Sequence, residues 1–154
     1  MNAAKQIGEI IMKFVFIGLA ALAVATPVLA ESWNSYSRTD STLYMADVDS
    51  ITQADGVTSM KSATVPKTGA AGDYSHTVET YQFQCAAKKW RTAGLVEYGP
   101  DGTETGNYPE VDAAWESLRP NTNPEQLLGM ACDGTRAAPP VWPSVKAYVD
   151  AGRP

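Results

Sequence analysis

An uncharged apolar segment at residues 14–30, directly preceded by Lys13, is the feature that most restricts what this chain can fold into. A positive residue, an apolar stretch and small residues at its end are the pattern of a secretory signal peptide. Val28-Leu29-Ala30 supplies the compact end, so we expect cleavage after Ala30, with Glu31 as the first mature residue. The fold is therefore expected to form outside the cytoplasm from the rest of the chain.

The alternative for this segment is an uncleaved membrane anchor. Residues 14–30 lie at the short end of the roughly 17–25 apolar residues that a membrane-spanning helix needs, which favours cleavage and a mature product without a membrane span. Since no cysteine stands at the cut, a lipid anchor is not expected. Met12 followed by Lys13 makes an ordinary signal-peptide start, so translation from either Met1 or Met12 fits the sequence.

The mature part has the length and charge of one acidic domain, since domains of about 100–150 residues are the commonest. Cleavage removes Lys5, Lys13 and Glu9, which leaves the product slightly more acidic than the net charge of −5 of the whole chain. An acidic domain lacks the electrostatic footprint of a nucleic-acid-binding protein. Nucleic acid is therefore excluded as a partner.

Cys85 and Cys132 are the two cysteines of the chain. Thiols pair and stay paired in the oxidising compartments to which exported proteins go. A metal or redox site is disfavoured, because the chain has no CxxC motif and one histidine, His76. We expect a structural disulfide between Cys85 and Cys132, no metal and no cofactor.

Short β-type segments separated by turn residues fill the first two thirds of the mature part. Turns are predicted at 47–51, at Asp55-Gly56 and at 99–102, and an exposed loop at 67–74. In the clearest strand Tyr81, Phe83 and Cys85 share one face by alternation. The predicted strands cover residues 32–38, 43–46, 57–65, 77–85, 88–98 and about 103–108.

Helical signals appear later in the chain. Asn123 is predicted as an N-cap, with Pro124 at the first helical position, and Gly134 as the residue that ends the helix after Cys132. The preceding segment 112–118 fits either one helical turn or an extended segment. The predicted fold class is α+β: a small antiparallel sheet of about six strands with a C-terminal helix tied to it by one disulfide, all within residues 31–134.

The last segment, residues 135–154, contains four prolines. Its stretch 143–150 fits a short helix that Gly152 would end. We expect a loosely held Pro-rich tail.

Few residues offer catalytic chemistry. His76 follows a Gly-rich loop without a GxSxG motif or a reactive cysteine, so we expect a solvated loop histidine. A pair of carboxylates would suit a glycosidase-like hydrolase, although turn and capping roles explain most of them better. The candidates are Asp47, Asp49, Asp55, Asp101, Glu104, Glu110 and Asp112.

Lys88-Lys89-Trp90-Arg91 is the one basic cluster. Alternation predicts Lys89 and Arg91 on one side of a strand and Lys88 and Trp90 on the other. Such a cluster suits an acidic polysaccharide, an anionic lipid headgroup or an acidic protein. The interpretation we favour is a strand edge protected by lysines against aggregation. The cluster is nevertheless the first candidate for a binding surface.

A set of framework residues resembles the surface-adhesin protein E family of proteobacterial envelope proteins. The resemblance covers about residues 31–134 and implies an antiparallel sheet with a C-terminal helix tied to it by a disulfide. The family takes its name from a member that sits on the cell surface and binds host extracellular proteins. The residues that carry it are Trp33, Leu43-Tyr44, Asp49-Ser50-Ile51, Tyr81, Cys85, Tyr98-Gly99-Pro100-Asp101-Gly102, Trp115, Pro120 and Cys132.

These features together predict a non-enzymatic exported protein of the periplasm or cell surface. Its expected role is an adhesin-like binding or interaction module for an envelope or extracellular protein or glycan. The alternatives are a small periplasmic hydrolase that uses paired carboxylates and an accessory factor for envelope assembly.

Overall fold

Ten secondary-structure elements follow one another in the computed structural model, which describes residues 31–154. The predicted signal peptide and the residue before its cut, Ala30, lie outside the described residues, so the cleavage site stays a prediction. The elements are β1 (Trp33–Arg38), β2 (Thr42–Ala54), β3 (Val57–Pro66), β4 (His76–Gln84), β5 (Lys89–Tyr98), β6 (Glu104–Pro109), β7 (Glu116–Ser117), α1 (Asn123–Cys132), β8 (Val141–Trp142) and α2 (Val145–Asp150).

The strands form one antiparallel sheet in the order β6-β5-β4-β3-β2-β1-β8, and β7 pairs with β5. Neighbours from β1 to β6 are also neighbours in sequence and form successive hairpins, with the longest connection, residues 67–75, between β3 and β4. The α+β class with an antiparallel sheet, a helix after it and the Cys85–Cys132 disulfide is confirmed. The sheet has eight strands rather than about six, since β7 and β8 are too short to show alternation in the sequence.

The predicted turn at Asp55-Gly56 is confirmed. Both residues have positive φ, 52° and 76°, as the central residues of a type I′ hairpin turn require. The turn joins β2 to β3 and fixes their register through the Ala54–Val57 pair.

The turn predicted at 47–51 is wrong, because β2 runs through this segment as one strand with a bulge between Asp47 and Thr52. Asp47 is buried and its carboxylate accepts the backbone N–H groups of Ser32 at 2.9 Å and Asp49 at 3.1 Å. The hydroxyl of Ser50 donates to the carbonyl of Asp47 and accepts the N–H of Lys61. Polar side chains thus replace the missing ladder hydrogen bonds, whereas the same residue types usually mark turns.

Each face of the sheet carries its own apolar cluster. On one face, which we call the α2 side, strand residues such as Met45, Ala63 and Val78 are paired across β2, β3 and β4. Helix α2 covers them with Val145, Tyr148 and Val149. On the opposite face, the α1 side, Ala46, Met60 and Phe83 pack against Leu127, Leu128 and Met130 of α1.

Helix α1 starts one residue earlier than predicted. Thr122, not Asn123, is its N-cap, and it makes no side-chain cap; its hydroxyl donates instead to the carbonyl of Arg119 at 2.7 Å. Glu125 stabilises the helix entry by accepting the N–H of Asn121 at 2.7 Å. The predicted stop at Gly134 is confirmed by its φ of 71°.

The expectation of a loosely held tail is wrong. Strand β8 pairs with β1 through Trp33–Trp142 and Asn34–Val141, and the buried residues of α2 belong to the core. The guanidinium of Arg153 also donates to carbonyl groups of the loop at 69–73. The prolines here shape a connection that carries α2 to the sheet face opposite α1.

Candidate functional site

The basic cluster at 88–91 is divided by the fold. Lys88 lies in the β4–β5 turn with a φ of 52°, so it is not a strand residue that shares a face with Trp90. Lys89 begins β5 and is exposed, whereas Trp90 is half-buried with its ring 5.8 Å from that of Tyr81. Lys89 and Trp90 therefore point to opposite faces, as alternation predicts.

The side chain of Arg91 already interacts with neighbouring side chains of the protein. Its Nε donates to Oε1 of Gln82 at 2.8 Å, and its guanidinium carbon lies 4.5 Å from the ring centroid of Trp115. The interpretation as a protected strand edge is wrong at this point, because β7 pairs with β5 at Lys89 and Trp90. Lys88 and Lys89 are the two members of the cluster with free ammonium groups among the described contacts.

His76 is not the solvated loop histidine that the sequence predicted. It is the first residue of β4, half-buried, with Nδ1 2.7 Å from the carbonyl oxygen of Tyr74. Its ring stacks on that of Tyr98 with 4.4 Å between centroids. Burial lowers the pKa of His76 below its usual 6.5, and this outweighs the hydrogen bond to Tyr74 and the nearby charge of Glu31, which favour the protonated ring.

This lowered pKa predicts a pH-dependent stability. The unfolded chain binds the proton more tightly than the folded protein, so stability falls as the pH drops through the unfolded value near 6.5. We expect the free energy of unfolding to decrease between about pH 7 and pH 5 more in the wild type than in His76→Gln. Denaturant unfolding at a series of pH values measures both slopes, and equal slopes would contradict the prediction.

The predicted carboxylates serve mainly in turns and local hydrogen bonds. Asp101 accepts the N–H and the hydroxyl of Thr103, and these bonds lower its pKa. Glu110 accepts the hydroxyl of Thr92. Within residues 31–154 no three His, Cys, Asp or Glu side chains lie close enough together to hold a metal ion.

An open surface lies on the α1 side of the sheet, beyond the area that α1 covers. Thr64 is exposed there although β3 is an interior strand with paired neighbours on both sides. Paired residues in an antiparallel ladder lie side by side on one face. We call this surface the open face and define it by Tyr44, Thr64, Thr77, Glu79, Glu97 and Tyr108.

Two rows of the ladder build the open face. The first row runs Tyr44–Thr64–Thr77–Glu97 from β2 to β5. The second row places Glu79 on β4 beside Leu95 on β5, and Leu95 beside Tyr108 on β6. Tyr108 is 55% exposed and its hydroxyl lies 3.4 Å from Oε2 of Glu97.

A depression of about 410 Å³ lies at this surface, between Thr42, Thr64, Thr77, Glu97 and Thr105. Seven of its ten lining residues carry a hydroxyl group, and the other three are Pro66, His76 and Glu97. A cavity of this size falls in the range of ligand sites, which is roughly 300–1,000 Å³.

The border between the open face and α1 is polar. The hydroxyl groups of Tyr36 and the buried Ser62 are 2.8 Å apart. Burial raises the pKa of Tyr36 and that of Tyr81 far above the usual range, and the neighbouring Glu79 carboxylate acts in the same direction on both. Both phenols are therefore neutral at any physiological pH and can donate a hydrogen bond.

Sequence reasoning missed the open face. Its side chains come from five strands and form no contiguous motif. The one available signal was that Thr64 and Thr77 are polar in strands that the hydrophobic pattern places inside the sheet.

Comparison with known proteins agrees with this architecture. The family model described as Surface-adhesin protein E matches residues 33–133, which include β1 to α1 and both cysteines but stop before β8 and α2. No curated protein sequence and no solved structure matches the chain. In the described part of the chain, no helix is both long and apolar enough to cross a membrane.

The match covers well over half of the chain. The family suggests an exported or surface protein with an adhesin-like, non-enzymatic role. By this match and by its disulfide-linked sheet and helix, the chain belongs to the surface-adhesin protein E family.

Proposed function

We propose that the mature protein is a non-enzymatic binding module of the periplasm or cell surface. It holds an envelope or extracellular ligand on the open face. The observation that carries the proposal is a sheet face left bare at interior strands, where Thr64 is exposed between β2 and β4.

The open face has the physical properties of a binding surface. The ladder holds Tyr44, Thr64, Thr77 and Glu97 on hydrogen-bonded strands, so little conformational entropy is lost when a ligand binds. Tyrosine offers a large contact area with few rotatable bonds, which makes it a common contact residue at protein interfaces. Family membership supports a surface-adhesin-like role.

The basic cluster remains a second candidate surface, reduced to Lys88 and Lys89. Lys88 and Lys89 are exposed, and long, flexible side chains lose conformational entropy when a ligand fixes them. Arg91 and Trp90 are engaged with Gln82, Trp115 and Tyr81. This favours the open face as the main ligand surface.

We predict that the double variant Tyr44→Ala, Tyr108→Ala binds its ligand at least about tenfold more weakly than the wild type, since interface tyrosines often contribute more than 1.4 kcal/mol each. The assay is surface-based binding of the mature protein to a panel of purified extracellular-matrix proteins and cell-envelope glycans. The matched control is Lys88→Ala, Lys89→Ala, which should bind like the wild type. Unfolding curves of both variants check that the fold is intact.

Two outcomes would overturn the proposal. Loss of binding in the lysine variant with full binding in the tyrosine variant would move the site to the basic cluster. If the wild type hydrolyses glycans or peptides and binds none of the matrix proteins or glycans stably, the result would favour the alternative of a carboxylate-dependent hydrolase.

A further inference from the structure

We infer that the open face recognises a basic protein segment, in which a lysine or arginine side chain lies against Glu79, Glu97 and the surrounding tyrosines. The inference rests on the proposed function and adds the chemical class of the ligand. It follows from charge, aromatic content and dimensions of the surface.

The two glutamates lie on adjacent strands of the sheet, β4 and β5. Glu97 on β5 is paired with Thr77 on β4, and Glu79 lies two residues after Thr77. The two glutamates are therefore diagonal neighbours on adjacent strands. Diagonal pairs in an antiparallel ladder are about 7–8 Å apart, within reach of one another for long side chains. One cation placed between them would therefore contact both.

Within residues 31–154, no lysine or arginine forms an ion pair with either glutamate. Among the described strands, no position on the α1 side carries a lysine or arginine. The strand cations Arg38, Lys61, Lys89 and Arg91 all belong to the other face. In residues 31–154 the one ion pair joins Lys146 to Asp150 on α2. Both glutamates are half-buried, and bringing like charges together at a half-buried surface is unfavourable unless a positive ligand compensates them.

Aromatic rings surround the carboxylates. Tyr81 lies two residues after Glu79 on β4 and on the same face of the sheet. Tyr108 lies beside Leu95 on β6, and its hydroxyl donates to the carboxylate of Glu97. Ammonium and guanidinium groups are attracted to the faces of such rings by about 0.5–1 kcal/mol at exposed sites. The exposed Thr64 and the half-buried Thr77 present methyl groups on which the aliphatic stem of a lysine or arginine packs.

The dimensions suit an extended segment rather than a small ion. The row from Tyr44 to Glu97 crosses four strands, and three inter-strand spacings amount to roughly 14 Å. An extended chain covers that distance with roughly four residues. The depression of about 410 Å³ along the row can accept the side chain of one of them.

The test measures binding of a fluorescent oligo-arginine peptide to the mature protein by fluorescence anisotropy, with an oligo-glutamate and a neutral Gly-Ser peptide as comparisons. We expect the wild type to bind the basic peptide alone. Glu79→Gln, Glu97→Gln should weaken this binding about tenfold or more, which corresponds to about 1.4 kcal/mol. The matched control Asp49→Asn, Asp55→Asn removes the same charge at the far hairpin and should change the affinity less than about twofold.

The outcomes separate the ligand class from the proposed function. Equal weakening by both carboxylate variants would show a non-specific effect of net charge and overturn the inference. Absence of basic-peptide binding, while Tyr44→Ala, Tyr108→Ala still reduces binding to a matrix protein or glycan, would overturn the inference and leave the proposed function intact. An NMR chemical-shift map confined to the open face would support both.

Discussion

Replacement of Tyr148 by alanine is expected to lower the free energy of unfolding by about 3–5 kcal/mol, the usual cost of deleting a buried aromatic side chain. Tyr148 is 1% exposed, and its ring meets that of Trp142 edge-on with 5.6 Å between centroids. It packs in the same cluster as Leu43 and Val65 of the central strands. These strands are fixed by their ladders, so the cavity left by the ring cannot close easily. Urea unfolding followed by tryptophan fluorescence measures the change.

The matched control for this variant is Tyr148→Phe. The hydroxyl of Tyr148 is buried, and no partner for it exists among the side chains and backbone of residues 31–154. In the folded protein this hydroxyl has lost its hydrogen bonds to water without gaining another partner. We therefore expect Tyr148→Phe to leave the free energy of unfolding unchanged or to raise it by about 1 kcal/mol. A loss of less than about 1 kcal/mol in Tyr148→Ala would contradict the view that the C-terminal segment is part of the core.

The C-terminal segment shows why local patterns predicted part of the fold and missed another part. The strands and the turn at Asp55-Gly56 could be predicted because the residues that determine them are neighbours in sequence. Helix α2 is six residues long, and a helix of that length is unstable without tertiary contacts. Its position depends on the fit of Tyr148 and Val149 to a sheet face that forms from four distant strands. No local signal carries that information.

The sequence predicted neither the bulge in β2 nor the open face, for related reasons. Asp47 and Ser50 are ordinary turn residues, and only the approach of Ser32 and Lys61 gives their side chains the backbone partners that keep the strand extended. The open face depends on where α1 stops covering the sheet. The disulfide, by contrast, was predictable, because export and two cysteines leave one pairing.

This disulfide is expected to contribute about 4 kcal/mol to stability, the chain-entropy value for a loop of this length. Cys85 and Cys132 are joined across 47 residues, and the bond ties α1 to the end of β4. Helix α1 has ten residues, too few to be stable alone, so its apolar residues stay on the sheet only while the tertiary contacts hold them. The variant Cys85→Ala, Cys132→Ala should therefore unfold at a markedly lower urea concentration than the wild type.

Reduction supplies the control for this last prediction. The wild type treated with dithiothreitol should match the double variant in stability, whereas the double variant should not respond to dithiothreitol at all. The open face is built by β2 to β6, and α1 packs on the same side of the sheet. We therefore expect partial detachment of α1 in the reduced protein to expose Met60 and Phe83, and binding of a hydrophobic dye to increase before global unfolding. A double variant within about 1 kcal/mol of the wild type would show that burial of Leu127 and Leu128, rather than the covalent link, fixes α1 on the sheet.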